Sequence, residues 1–293
     1  MAVTGVERFS APEAGGMTDA MRAAWRRDGF LVVDGFKSAD ACKALMDRAR
    51  TIIDSYDETD GKTIFETDRQ THSGDDYFRT SGDKVRLFFE EGAVDHEGRL
   101  LVDRHQAVNK IGHAMHDLDP VFSEFSRDPR MEALARDAGQ VDPGLIQSMI
   151  IYKPPRIGGE VHCHQDATFL HTTPQSCVGF WFALEDATLE NGCLQAVAGA
   201  HFAPLTSRFR YIDGDLVTEQ IGPPLWNDAD AVPLEAPTGT LVMLHGQLPH
   251  FSGPNRSDKA RRAYAVHTID RTAKWSPDNW LRRAPDMPVR GFS

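Results

Sequence analysis

The sequence predicts a mainly β protein with flanking α-helices, built as a closed or double-sheet β core beneath an N-terminal helical layer. Three observations carry this reading. Beyond Gly139, short β-type runs recur between Gly, Pro and Asn punctuation, the pattern of a sandwich or barrel. Before it, apolar residues follow helical spacing. No internal repeat or low-complexity tract interrupts the 293 residues, a length that one β domain commonly reaches. The expected division is a single domain over 1–293, with a mostly helical layer at 17–138, the β core at 139–270 and a C-terminal extension at 271–293.

Residues 1–16 are rich in Gly, Ala and Pro and read as a loosely attached arm. Thr18 is placed to cap a helix running through Arg27, with Met21, Ala24 and Trp25 as its buried stripe. Gly29 suits the left-handed cap that closes it. A strand follows at 30–33, a turn at Asp34-Gly35, and then a second helix capped by Ser38 with Cys42, Leu45, Met46, Ala49, Ile52 and Ile53 at helical spacing. Residues 57–83 are polar with scattered aromatics Phe65, Tyr77 and Phe78, and read as a mobile flap or substrate-entry segment. A strand is expected at 85–90 and a helix at 106–117. Another helix starts after Asp119-Pro120, with proline at its first position, and one more spans 131–138. The β core contains runs at 145–152, 178–184, 192–197, 231–234, 239–244 and 262–269. The stretch 207–230 reads as an insertion between strands that helps to shape a substrate site.

Composition narrows the function. With 41% hydrophobic and 26% charged residues the chain is ordinary for a globular protein. A net charge of −11 argues against nucleic acid or an anionic membrane as partner. The four cysteines form no CxxC pair, so a reduced, cytoplasmic setting is expected. The N-terminus has no basic start with an apolar run, and no apolar stretch reaches the roughly 20 residues of a membrane span. The expected partner is a small-molecule substrate.

The chemistry centres on His164 and Asp166, the only His-x-Asp in the chain. On a strand, residues i and i+2 share a face, which sets an imidazole beside a carboxylate. Two histidines and one carboxylate make the facial triad of non-haem Fe(II) oxygenases, which leaves three coordination positions open. A distant third ligand comes from His245 or His250, and each has an arginine eleven positions later, Arg256 and Arg261. A guanidinium fork suits a dicarboxylate. Arg256 sits in a turn cluster, whereas Arg261 opens an apolar strand that fixes a clamp better, so His250 and Arg261 are the choice. Cys163 reads as a small buried hydrophobe, His162 and His171 as pocket or surface residues, and His245 as a satisfied polar residue near the site.

Several stretches carry a resemblance: 109–114 (NKIGHA), 147–149 (QSM), 158–161 (GGEV) leading into His164-Gln165-Asp166, 185–194 (EDATLENGCL) and 275–280 (WSPDNW). Over nearly its full length the chain resembles the phytanoyl-CoA dioxygenase superfamily of Fe(II)/2-oxoglutarate oxygenases. The resemblance implies a double-stranded β-helix (jelly-roll, cupin-like) core with Fe(II) held by His164, Asp166 and His250. It further implies 2-oxoglutarate chelating the iron, with its far carboxylate on Arg261 and added contacts from Lys110, Met149 and Trp181. The implied reaction hydroxylates a small organic substrate with O2, releasing succinate and CO2. Halogenation needs the carboxylate ligand replaced by a small residue, and Asp166 is present. A zinc hydrolase would share the ligand types but not the arginine anchor. The alternative is a non-catalytic jelly-roll protein that binds a metal or small molecule, and succinate release separates the two. Nothing in the acidic net charge favours a CoA thioester as substrate.

Overall fold

A computed structural model describes all residues except 1–4, 14, 57–63, 66–75 and 96–98, and only the backbone of 64 and 65. Most of the expected 57–83 flap therefore lies outside the described residues. Two sheets dominate. The larger has nine strands in the order Arg8–Ser10, Phe30–Asp34, Leu241–His245, Val178–Ala183, Arg261–Asp270, Pro143–Lys153, Val108–His113, Val85–Glu90 and Ile64–Phe65. The smaller has four, in the order Val232–Leu234, Leu194–Ala196, His250–Ser252 and Val161–His164. Together they form the jelly-roll core.

Strand alternation decides what each face does. Phe180, Phe182, Met243, Tyr264 and Val266 turn outward into one buried cluster with Met21, Trp25, Leu45, Phe122, Phe125 and Leu134 of the helices. The residues between them, Trp181, Ala183, Val242, Leu244, Ala263 and Ala265, turn inward and pack with Leu194, Ala196 and Leu234 of the small sheet. The helices thus seal the outer face of the large sheet, and its inner face opens toward the small one.

The helical layer forms by the expected signals. The Asp19–Asp28 helix starts where Thr18 Oγ1 accepts from Met21 N at 3.2 Å, and it stops at Gly29, whose φ is 77°. Ser38 Oγ accepts from Ala41 N at 3.1 Å to open the Ala39–Asp54 helix. Asp119 Oδ1 accepts from Val121 N at 3.0 Å and begins the Pro120–Ser126 helix.

Two expectations are overturned: the 1–16 arm is not loose, since Arg8–Ser10 pairs in parallel with residues 32–34 at the edge of the large sheet, and the 106–117 helix does not form. Residues 106–117 are not a helix: after a short Arg104–Ala107 turn the chain runs as the Val108–His113 strand, followed by the Met115–Leu118 turn. Gly112 disfavours a helix interior by about 1 kcal/mol. More decisively, this strand is central, pairing antiparallel with Val85–Glu90 on one side and Pro143–Lys153 on the other. Sheet pairing on both edges outweighs a local helical pattern. Lys110 is therefore a sheet residue.

The C-terminal extension is pinned by charge. Asp117, whose side chain is fully buried, meets Arg127 Nη2 at 2.6 Å, Arg290 Nη2 at 2.8 Å and Arg283. Burial alone would raise its pKa, but His116 and Arg283 outweigh that and hold it far below the usual carboxylate range. Asp117→Ala leaves buried guanidinium groups uncompensated, and a loss of about 3 kcal/mol of stability is expected in urea unfolding. A loss below about 0.5 kcal/mol would rule out the pin.

Candidate active site

The floor of the site is the inner face of the large sheet. Arg261, Ala263, Ala265 and His267 alternate inward along one strand. Lys153 stands opposite Arg261, Met149 opposite Ala265 and Gln147 opposite His267 on one neighbouring strand. Trp181 and Gly179 face Ala265 and His267 on the other. Arg261 and His267 are thus about 20 Å apart along the strand, at ~3.3 Å per residue. The two alanines between them leave the middle of the cavity open.

Above the His267 end sits a cluster of potential metal ligands. His164 ends the Val161–His164 strand and His250 starts the His250–Ser252 strand, and the two pair directly across the small sheet. Asp166 lies two residues beyond the end of the strand, at the start of a single 3-10 turn over Asp166–Thr168. The expected i, i+2 strand geometry therefore holds only in part, and the turn brings the carboxylate alongside the imidazole. His164 Nδ1 donates to His162 O at 2.8 Å and His250 Nδ1 donates to Leu248 O at 2.9 Å. These bonds fix the tautomers and leave both Nε2 atoms as lone-pair donors. Each Nε2 is 3.7 Å from Asp166 Oδ1, and one ligand atom from each residue falls within 4.8 Å of the others. Desolvation pulls His250 down to about 4, so it is neutral at physiological pH. Burial would raise the Asp166 pKa, but His267 and His250 outweigh it and keep the carboxylate ionised.

The outer oxygen of Asp166 has its own seat. Oδ2 is 3.3 Å from His267 Nε2, yet no hydrogen bond of good geometry reaches it. A Cβ on Gly179 would fall 2.9 Å from the same oxygen. A buried, ionised carboxylate without a full set of partners is costly, and a cation shared with the two imidazoles would satisfy it. Two imidazoles and one carboxylate suit a borderline divalent ion with open positions.

The other end of the cavity is cationic. Arg261 is 1% exposed, and its Nε and Nη1 are buried with no acceptor among the described residues. Its guanidinium lies over the Trp181 ring, 5.6 Å from the centroid. Desolvation lowers it only to about 10, so it stays charged. Lys153, across the sheet from it, is lowered to about 7 by burial and by Arg261, while its Nζ donates to Gly159 O. Lys110 opens onto the cavity but is otherwise enclosed by protein, and desolvation brings it to about 7. Glu90 accepts from Asn109 Nδ2 at 2.7 Å and Gly159 N at 2.8 Å, beneath these cations. Desolvated cations around unanswered N–H groups make a receptor for a small polyanion.

His164, Asp166, His250, Arg261, Lys110, Met149 and Trp181 all line this one cavity. His245 does not; it packs against Trp25 and His201. His162 is exposed and meets Glu160 at 2.8 Å. Arg256 belongs to a surface groove elsewhere. Sequence reasoning missed His267, Gly179, Lys153 and Glu90. Alternation from Arg261 would have found His267, whereas Gly179, Lys153 and Glu90 required the cross-strand register.

The phytanoyl-CoA dioxygenase (PhyH) family model matches residues 25–263. Mouse phytanoyl-CoA dioxygenase domain-containing protein 1 is 42% identical over 274 residues, covering 90% of this chain and 94% of the relative. Phytanoyl-CoA dioxygenase of Arabidopsis thaliana is 40% identical, with 92% and 95% covered. Among solved structures, the epimerase SnoN in complex with Fe3+, α-ketoglutarate and nogalamycin RO superposes with a TM-score of 0.63 at 18% identity, covering 93% of this chain and 92% of that one. EctD from S. alaskensis with 2-oxoglutarate and 5-hydroxyectoine gives 0.61 at 18% identity, covering 92% and 84%. Among the described residues no helix is long and apolar enough to cross a membrane. The chain belongs to the phytanoyl-CoA dioxygenase family and is a 2-oxoglutarate-dependent iron enzyme.

Proposed function

We propose that this chain hydroxylates a small organic substrate, consuming 2-oxoglutarate and O2 and releasing succinate and CO2. The observation that carries the reading is one cavity with two imidazoles and a carboxylate at one end and a buried guanidinium without an acceptor among the described residues at the other. Fe(II), O2 and 2-oxoglutarate supply the oxidising chemistry when bound. His164, Asp166 and His250 hold the metal. Arg261 takes the far carboxylate of 2-oxoglutarate, with Trp181 stacked beneath its guanidinium. Lys110 adds positive charge, and Met149 forms apolar wall beside Trp181. The small inward side chains Ala263 and Ala265 leave the length a dicarboxylate needs.

Succinate formation from 2-oxoglutarate by purified protein with Fe(II) and O2 tests the reading. Metal-dependent release is expected even without the organic substrate. A folded, metal-loaded protein that releases none would be a binding protein and not an oxygenase.

Gly179 supplies a second test of the metal seat. In Gly179→Ala the new methyl meets Asp166 Oδ2 and pushes the carboxylate off its position. Disturbing a ligand's support typically costs 10–100-fold in metal affinity. A Co(II) titration followed by absorbance should show a loss of that order while the melting temperature moves little. Unchanged Co(II) affinity would remove Gly179 from the seat.

A further inference from the structure

Beside the metal ligands, the cavity has an aromatic wall that the iron and 2-oxoglutarate assignments leave unused. Its rings come from separate segments: Phe78 on the Asp76–Arg79 turn, Phe169 just after the Asp166–Thr168 turn, Phe209 on the Ser207–Ile212 strand and Trp280 in the C-terminal extension. Phe169 meets His164 edge to face at 5.8 Å and Phe209 at 5.6 Å. Phe78 stacks on Trp280 with centroids 4.6 Å apart and planes 14° apart. Phe209 closes the group, 6.3 Å from each of Phe78 and Trp280. The wall therefore begins at a proposed metal ligand and runs away from it.

Two further features define what this wall accepts. Trp280 is 2% exposed, and its indole N–H is buried with no acceptor among the described residues. A buried indole N–H normally has a partner, so this donor is matched to a ligand. The charges behind the wall are mostly paired with each other: Asp278 takes Arg208 Nη2 at 3.0 Å and Arg210 at 2.6 Å, and only the Arg208 Nε–H is left without an acceptor among the described residues. Of the cavity cations, Arg261 and Lys153 belong to the anion end, and Lys110 reaches only the edge of the wall, 5.9 Å from the Phe78 centroid.

Building on the oxygenase reading above, we infer that the substrate is an uncharged small molecule with a flat ring. The ring lies against Phe169, Phe209 and Trp280, and one acceptor atom on it takes the Trp280 N–H. A long-chain acyl-CoA does not fit this wall, because a flat aromatic surface favours stacking and the described residues that line it carry no cation for the phosphates.

The test uses two shape-matched probes, 1-indanone and indane, which differ by one carbonyl acceptor. Binding to the full chain loaded with Mn(II) and 2-oxoglutarate is followed by relaxation of probe protons in NMR, which reports proximity to the metal. A site built around a donor rejects the analogue that lacks the acceptor, so 1-indanone should bind at least about tenfold tighter than indane. Trp280→Phe should bring the two within about twofold. Should that variant fail to fold, the comparison in the unsubstituted chain still decides. Equal binding of the two probes, or decanoyl-CoA binding near the metal while 1-indanone does not, overturns the inference. Succinate release measured in parallel keeps the two readings apart: release with no preference for 1-indanone sinks only the substrate class, and no release sinks the oxygenase reading.

Discussion

Asp166→Ala should abolish 2-oxoglutarate turnover and metal-induced stabilisation together, while the metal-free protein remains folded. Asp166 is the one carboxylate among the clustered ligands, with Oδ1 at 3.7 Å from both His164 Nε2 and His250 Nε2. Without it only the two imidazoles remain, and an imidazole ligand carries no negative charge to offset a divalent ion. The metal-free protein should lose some stability, because His267 and His250 favour the ionised carboxylate, but Oδ2 has no hydrogen-bond partner among the described residues, so no filled network is broken. In the unsubstituted protein, metal at 100 times its Kd should add about 2.7 kcal/mol, read as a rise in melting temperature. That rise should vanish in Asp166→Ala, while the unliganded melting temperature falls by no more than about 5 °C. Retained metal-induced stabilisation with normal succinate release would falsify the assignment of Asp166 as a ligand.

How much of this was legible in the chain follows from the physics of each part. Caps are local, so Thr18, Ser38 and Asp119 announced their helices from a few residues of sequence. The choice of Arg261 over Arg256 rests on Arg261 opening an apolar strand while Arg256 sits in a turn, and of the two only Arg261 lines the cavity. The Val108–His113 strand was misread because its state is set by partners at Val85–Glu90 and Pro143–Lys153, far along the chain. Gly179 and Lys153 were invisible for the same reason: their meaning lies in what stands across the sheet, His267 and Arg261 respectively. The aromatic wall is harder still, since its rings come from separate segments that only tertiary packing brings together.

Arg261→Leu should raise the Kd for 2-oxoglutarate strongly, with metal affinity nearly unchanged. Arg261 is 1% exposed, and its Nε and Nη1 have no acceptor among the described residues. Truncating one partner of a buried, hydrogen-bonded charge pair costs about 2–5 kcal/mol, and each 1.4 kcal/mol is about tenfold. A rise of between about thirtyfold and several thousandfold is expected by calorimetry under anaerobic conditions. Lysine at this position should not restore affinity, because it lacks the planar fork that answers a carboxylate with two bonds. The neighbouring lysines add a pH signature. Lys110 and Lys153 are both brought to about 7 by desolvation in the empty cavity. A bound dianion raises both values, so binding takes up protons near neutral pH. Their contribution is complete below about 7 and is lost as pH rises through the higher values of the complex. The Kd for 2-oxoglutarate should therefore climb between pH 7 and 9, by up to about tenfold per pH unit for each lysine. Lys110→Met and Lys153→Met should each flatten that slope while weakening binding at pH 6.5. A Kd that stays constant from pH 6.5 to 9 would mean that neither lysine senses the anion, and that Arg261 alone carries its charge.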